Sequence, residues 1–208
     1  MANILVFGDS FVQGHYDVEG GWVDRIKRYY IQKSLDTNFE EYYEVYNLGR
    51  AGDTTIDLLK RFSNELNARY WDDPVTIIII AVGINDSEII LKSRKNLVPE
   101  ELFIQNLEKL TKLSKQYTNK LIFIGLSPVE EVKVNPIPWN LEKAYVNKEV
   151  KNYDKQIKIF CEKSNLEYIY LQDKLNKNHL ADGVHPNTKG HEMIFETVKN
   201  FLEEKKYI

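Results

Sequence analysis

The chain has 208 residues, 28 Lys+Arg against 31 Asp+Glu for a net charge of −3, 43% hydrophobic residues and one cysteine. That length suits a single domain over residues 1–208, and the balanced charge gives no electrostatic reason to expect nucleic acid or an anionic membrane as partner. One cysteine excludes an internal disulfide and a multi-cysteine zinc site, and the apolar run from Ile77 to Val82 falls far short of the ~18 residues that span a bilayer.

The N-terminus, Met1 to Ser10, has no basic stretch and only a short apolar run, Ile4 to Phe7. No signal peptide is expected from it, and the expected location is cytoplasmic. Ile4 to Phe7 reads as a first strand, ended by Gly8-Asp9-Ser10. Trp22 to Ile31 has helical spacing through Trp22, Val23, Ile26, Tyr29 and Tyr30. Tyr42 to Leu48 reads as a second strand, and Asp53 and Thr54 are N-cap candidates for a helix carrying Ile56, Leu58, Leu59 and Phe62.

The continuous apolar segment Val75 to Val82 predicts a strand buried on both faces, as in the middle of a parallel sheet. Glu100 to Tyr117 is helical by its Leu102, Phe103, Leu107 and Leu110 stripe. Leu121 to Leu126 reads as a fourth strand, Ala144 to Ser164 as a long charged helix, Tyr168 to Leu171 as a short fifth strand and Asn187 to Glu204 as a closing helix. Strands alternating with helices predict an α/β fold, a parallel sheet covered on both faces. The least regular stretches are 86–99 and 127–141, each following a strand.

In open α/β sheets, ligands bind beyond the carboxyl ends of the strands. The residues just after the predicted strands are Gly8-Asp9-Ser10, then Gly49 to Asp53, then Gly83-Ile84-Asn85-Asp86, and, past the fifth strand, Asp182-Gly183-Val184-His185-Pro186-Asn187. A serine, turn glycines, an asparagine and an Asp/His pair on one edge are an inventory for acyl transfer. Taken singly each piece is weak: Gly-Asp-Ser is commonly a turn or a cap, Asn85-Asp86 can cap the next segment, and one histidine in a loop is commonly structural. Their combination in this order is the signal.

Competing patterns are poorer. There is no Gly-x-Ser-x-Gly elbow, since Val12 stands two after Ser10, no P-loop and no Gly-x-Gly-x-x-Gly after a strand. Asp9, Asp53, Asp86 and Asp182 could be taken for a magnesium site, but the adjacent glycines and the Ser/His pair argue against it. His15, in the loop after Ser10, reads as a solvated residue ahead of one lining the substrate cleft, His191 as a packing or capping one, and Cys161 as a buried structural thiol. Trp139, with Val134 and Ile137, is a candidate wall of the acyl or alcohol pocket.

The four blocks Gly8-Asp9-Ser10, Ala51-Gly52-Asp53-Thr54-Thr55, Gly83-Ile84-Asn85-Asp86 and Asp182 to Asn187 resemble those of the SGNH hydrolases, the GDSL lipase/esterase family. Phe11 departs from the Leu or Ile that follows the family's serine. The resemblance implies a three-layer α/β/α sandwich, a flavodoxin-like five-stranded parallel sheet in order 2-1-3-4-5. It implies an esterase acting on a small-molecule carboxylic ester or thioester with no metal or organic cofactor. By position, Ser10 is the implied nucleophile, His185 the base and Asp182 its orienter. The implied oxyanion hole comprises the amides of Ser10 and Gly52 and the side chain of Asn85. A carbohydrate O-acetylesterase and a non-catalytic ligand-binding module are the alternatives.

Overall fold

Successive residues of a strand face opposite sides of a sheet, so a strand apolar at every position needs cover on both. In the computed structural model, which describes every residue except Pro74, the strands β1 (Ala2–Gly8), β2 (Tyr43–Gly49), β3 (Val75–Ala81), β4 (Leu121–Ile124) and β5 (Glu167–Ile169) form one parallel sheet. Their order is β2-β1-β3-β4-β5, as the resemblance implied. Ile4, Val6, Ile77 and Ile79 turn to one face, where they meet Trp22 and Ile26 of helix α1 (Gly21–Asp36). Leu5, Phe7, Ile78 and Ile80 turn to the other, against helices α2 (Thr55–Asn67), α3 (Glu100–Ser114) and α4 (Asn147–Ser164). Helix α5 (Thr188–Glu204) completes the first layer through Ile194, Val198 and Leu202.

The boundaries differ from expectation where side chains take over from the ladder. β4 stops at Ile124 rather than Leu126, because the Leu126 amide donates to Asp154 Oδ1 at 2.8 Å. α4 begins at Asn147, not Ala144. Lys143–Ala144 instead pairs antiparallel with Ile89–Ile90, which pairs in turn with Lys95–Asn96. This second, three-stranded sheet ties the first stretch that read as irregular to the residues just past the second, and a four-residue helix, Glu131–Val134, lies in the second.

The register sets the working edge. Gly8 pairs with Gly49 on one side and with Ala81 on the other, so β1, β2 and β3 end level. The loops that leave them start side by side. Thr54 caps α2 in a reciprocal capping box with Asp57, while the Thr55 amide donates to both Asp86 carboxylate oxygens at 3.1 and 3.0 Å. The Thr55 hydroxyl bonds the same carboxylate and accepts from Asn106 Nδ2 at 3.0 Å. Asp86, expected to cap the segment after it, therefore joins the β3 loop to α2 and α3.

Asp86 is fully buried, and desolvation pushes its carboxyl up to about 7, against the lowering effect of the Thr55 bonds. A folded-state value above the ordinary carboxylate value means that the folded chain keeps a proton which the unfolded chain has released between about pH 4 and 7. That contribution is therefore present below pH 4 and is lost as pH rises through 7. The Asp86→Asn variant lacks this proton. Its thermal midpoint relative to wild type should move upward by several degrees between pH 5 and pH 8. A gap independent of pH would rule out the protonated carboxyl.

Candidate active site

β1 runs out at Gly8, and the chain turns straight into the one-turn helix Ser10–Gln13, capped by Asp9, whose Oδ1 accepts from the Phe11 amide at 2.9 Å. Ser10 is the first residue of that turn, where a backbone N–H has no partner within the helix. Asp9 is buried, and desolvation raises its carboxyl to about 7, partly opposed by the Phe11 amide and by His185. The Ser10 hydroxyl lies 2.9 Å from His185 Nε2. On the other side of the ring, His185 Nδ1 lies 2.7 Å from Asp182 Oδ2.

The second half of this arrangement is local. Asp182 Oδ1 accepts from the amides of Val184 at 3.0 Å and His185 at 2.9 Å, a side-chain turn that fixes the carboxylate and the imidazole together. Burial disfavours the charged carboxylate, yet the His185 ring and the two amides hold Asp182 down to about 2. An ionised carboxylate only accepts, so Nδ1 carries the imidazole proton and Nε2 is left to accept from the Ser10 hydroxyl.

Gly52 sits in a turn closed by the Asp53 amide on the Arg50 carbonyl at 3.2 Å. Its φ of +79° lies in the left-handed region, which favours glycine at the third position of such a turn. A Cβ there would touch nothing within 4 Å, so the constraint is on the backbone and on the approach to it. The Ala51 amide is held by Gln13 Oε1 at 2.7 Å, and the Gly52 amide meets no acceptor among the described residues. The Asn85 amide donates from Nδ2 to the Asp53 carbonyl at 2.9 Å, and its Oδ1 accepts from the Tyr145 hydroxyl at 2.8 Å.

Ser10, Gly52, Asn85, Asp182 and His185 all line one cleft of about 280 Å³. Beside it, a smaller niche of about 20 Å³ also reaches Ser10 and His185 and is walled in part by Phe11, Ala81, Val82, Ile84, Leu126 and Val184. Three rings surround the His185 imidazole: His15 at 5.4 Å, Tyr16 at 5.5 Å and Trp139 at 5.9 Å between centroids.

Trp139 thus reaches the cleft, whereas Val134 and Ile137 are buried in the core. His15 is half-buried and lines the cleft, the lesser of its two expected places. His191 is buried, accepting from the Trp22 amide at 3.3 Å and donating to the His15 carbonyl at 2.9 Å, and Cys161 is buried with its thiol pushed up to about 12. The N-terminus of α2 does not face the cleft with a free amide at Thr55, because Asp86 occupies it. Among the described residues no three His, Cys, Asp or Glu side chains gather as a metal site, and no helix is long and apolar enough to cross a membrane. Sequence reasoning missed Gln13, Tyr16, Glu88 and Tyr145, since none carries a motif and their relevance comes from contacts across the fold.

The sequence pattern of the GDSL-like Lipase/Acylhydrolase family matches residues 6–193. The human isoamyl acetate-hydrolyzing esterase 1 homolog is 26% identical, over 97% of this chain and 82% of its own. The lipase/acylhydrolase from Enterococcus faecalis superposes with a TM-score of 0.74 at 25% identity, covering 99% of this chain and 97% of the other. Axe2, an acetylxylan esterase from Geobacillus stearothermophilus in a catalytic mutant form, superposes at 0.70 with 20% identity, over 97% and 93%. With its sheet order, its four sequence blocks and this match along most of its length, the chain belongs to the GDSL-like lipase/acylhydrolase family and is a hydrolase acting on ester bonds.

Proposed function

We propose that the chain cleaves carboxylic esters of short acyl groups, acetate above all, through an acyl-enzyme on Ser10. The observation that carries this reading is the unbroken line Ser10 Oγ–His185–Asp182, at 2.9 and 2.7 Å, on the wall of the cleft. As Oγ attacks the ester carbonyl, its proton passes to His185 Nε2 while Asp182 stabilises the imidazolium. The carbonyl π pair moves onto oxygen, and the Ser10 amide, the Gly52 amide and Asn85 Nδ2 bind that oxyanion. Collapse expels the alkoxide, which takes the proton from Nε2. Water then gives a proton to Nε2, attacks the acyl carbon and frees Ser10, which recovers the proton.

Size supports the acyl preference. The niche beside Ser10 measures about 20 Å³ against about 280 Å³ for the cleft, so it suits the smaller of the two ester portions. The larger cleft then holds the alcohol portion. Names of relatives point the same way, being those of an isoamyl acetate-hydrolyzing esterase homolog and acetyl xylan esterases.

A second reading, de-esterification of an acetylated sugar, is favoured by the Tyr16 and Trp139 rings. They stay 59% and 55% exposed at the cleft, offering flat apolar faces to a pyranose. Non-catalytic ligand binding is disfavoured, because a binding module needs no carboxylate-held imidazole against a serine.

With p-nitrophenyl esters, kcat/KM should fall at least about tenfold from acetate to octanoate, since each methylene excluded from an apolar pocket is worth ~1–3 kcal/mol. A flat series would overturn the acetate preference. Ser10→Ala should abolish turnover and labelling by a fluorophosphonate while the thermal midpoint stays near wild type. Retained turnover would exclude the acyl-enzyme. Asn85→Ala should lower kcat by about 10²–10³, the usual cost of an oxyanion donor.

A further inference from the structure

We propose that Tyr145 is a positioning residue that locks the Asn85 side-chain amide in its anion-binding orientation, and that the three-stranded outer sheet exists at this edge to hold Tyr145 there. The inference rests on the oxyanion reading of Asn85. Asn85 is gripped at both ends of its amide: Nδ2 donates to the Asp53 carbonyl at 2.9 Å and Oδ1 accepts from the Tyr145 hydroxyl at 2.8 Å. A backbone carbonyl only accepts, so the Asp53 contact fixes which end of the amide is nitrogen. The phenol then removes the remaining freedom about the last torsion, which for an amide is broad and soft. One hydrogen of Nδ2 goes to Asp53 at 2.9 Å; the other meets only a long contact, 3.5 Å to Asp9 Oδ2, and is the one a substrate oxygen takes over.

The support behind Tyr145 is specific. Its amide donates to the Val134 carbonyl at 3.0 Å, and the strand just before it, Lys143–Ala144, pairs with Ile89–Ile90. Ile89 is only four residues past Asn85, so the outer sheet staples the loop that carries the amide to the strand that carries the phenol. Glu88, the other acceptor within reach of the phenol, is held by Lys143 Nζ at 2.6 Å. The Lys143 cation weakens that carboxylate's pull on the single phenolic proton, which the phenol donates to Asn85 Oδ1. Burial, with the nearby Glu88 charge, raises the phenol well above its ordinary value, so it remains a donor across the working range.

Tyr145 is buried and lines both the 280 Å³ cleft and the 20 Å³ niche. Lining alone would make it a wall of the acyl site, and loss of the hydroxyl would leave such a wall intact. A positioning role makes a different demand. The hydroxyl matters only in the transition state, because a donor whose direction is fixed beforehand stabilises the oxyanion without reorganising.

Tyr145→Phe should lower kcat about tenfold and leave KM within about twofold, the signature of a contact expressed in the transition state. In an Asn85→Ala background the same change should alter kcat by less than about twofold, because the group it positions is gone. A trifluoromethyl ketone, whose adduct with Ser10 carries the same oxyanion, should bind about tenfold weaker to Tyr145→Phe.

Lys143→Met keeps the ring and frees Glu88 to compete for the phenolic proton. It should lower kcat in the same Asn85-dependent way, and it serves if Tyr145→Phe disturbs folding. Losses that multiply in the double variants, or a loss confined to KM, would overturn the positioning role and leave the oxyanion reading standing. A wild-type kcat in Asn85→Ala would instead overturn the oxyanion reading itself, and this inference with it.

Discussion

A parallel strand that is apolar on both faces has to be covered by a helix layer on each side, and each helix has to return the chain to the same starting edge. β1 and β3 impose this constraint here, since nearly every residue in them is buried. From it follow the crossovers, the two helix layers and the delivery of all strand ends to one edge. The level endings at Gly8, Gly49 and Ala81 convert that topology into a site, because loops leaving three adjacent strands at one height must share one volume. The catalytic reading of Ser10, Gly52 and Asn85 depends on that shared height more than on any single contact.

Crowding loops onto an edge buries polar groups, and the fold answers in two ways. Asp53 is paired, with Arg61 Nε 2.7 Å away while the same guanidinium donates to the Gly8 carbonyl at 2.9 Å. Asp9 and Asp86 have no cation among the described residues; they are satisfied by amides and hydroxyls and are raised toward neutrality by burial. Asp182, which keeps its charge, is half-buried and faces the imidazole that needs it. Charge is thus retained where the proposed chemistry uses it and reduced where only hydrogen-bond geometry is required.

The outer sheet illustrates a limit of reading by periodicity. Ala144 and Tyr145 extend the apolar pattern of α4, so they read as its first turn, yet Ala144 belongs to a two-residue strand and Tyr145 faces Asn85. Two-residue strands have no period to detect, and Lys143–Ala144 finds its partner, Ile89–Ile90, more than 50 residues back in the chain. The same holds for Tyr16, Trp139 and His15 around the His185 ring, of which Trp139 and, less strongly, His15 stood out beforehand. Asp86 was legible as a cap of the segment after it but not as the acceptor for the first-turn amide of α2, since its partner Thr55 precedes it by 31 residues.

By itself, the sequence determined the strand–helix alternation, the parallel class of sheet, the ordering of the five diagnostic residues behind their strands and the family they resemble. Those features are local or periodic, and each is written in consecutive residues. Only the tertiary structure decided that Ser10 and His185, 175 residues apart, stand 2.9 Å from each other. It also decided that the room beside them is divided into a narrow apolar niche and an open cleft. The volume of a cavity and the direction of a side-chain amide depend on packing among distant segments, and no spacing along the chain encodes either one.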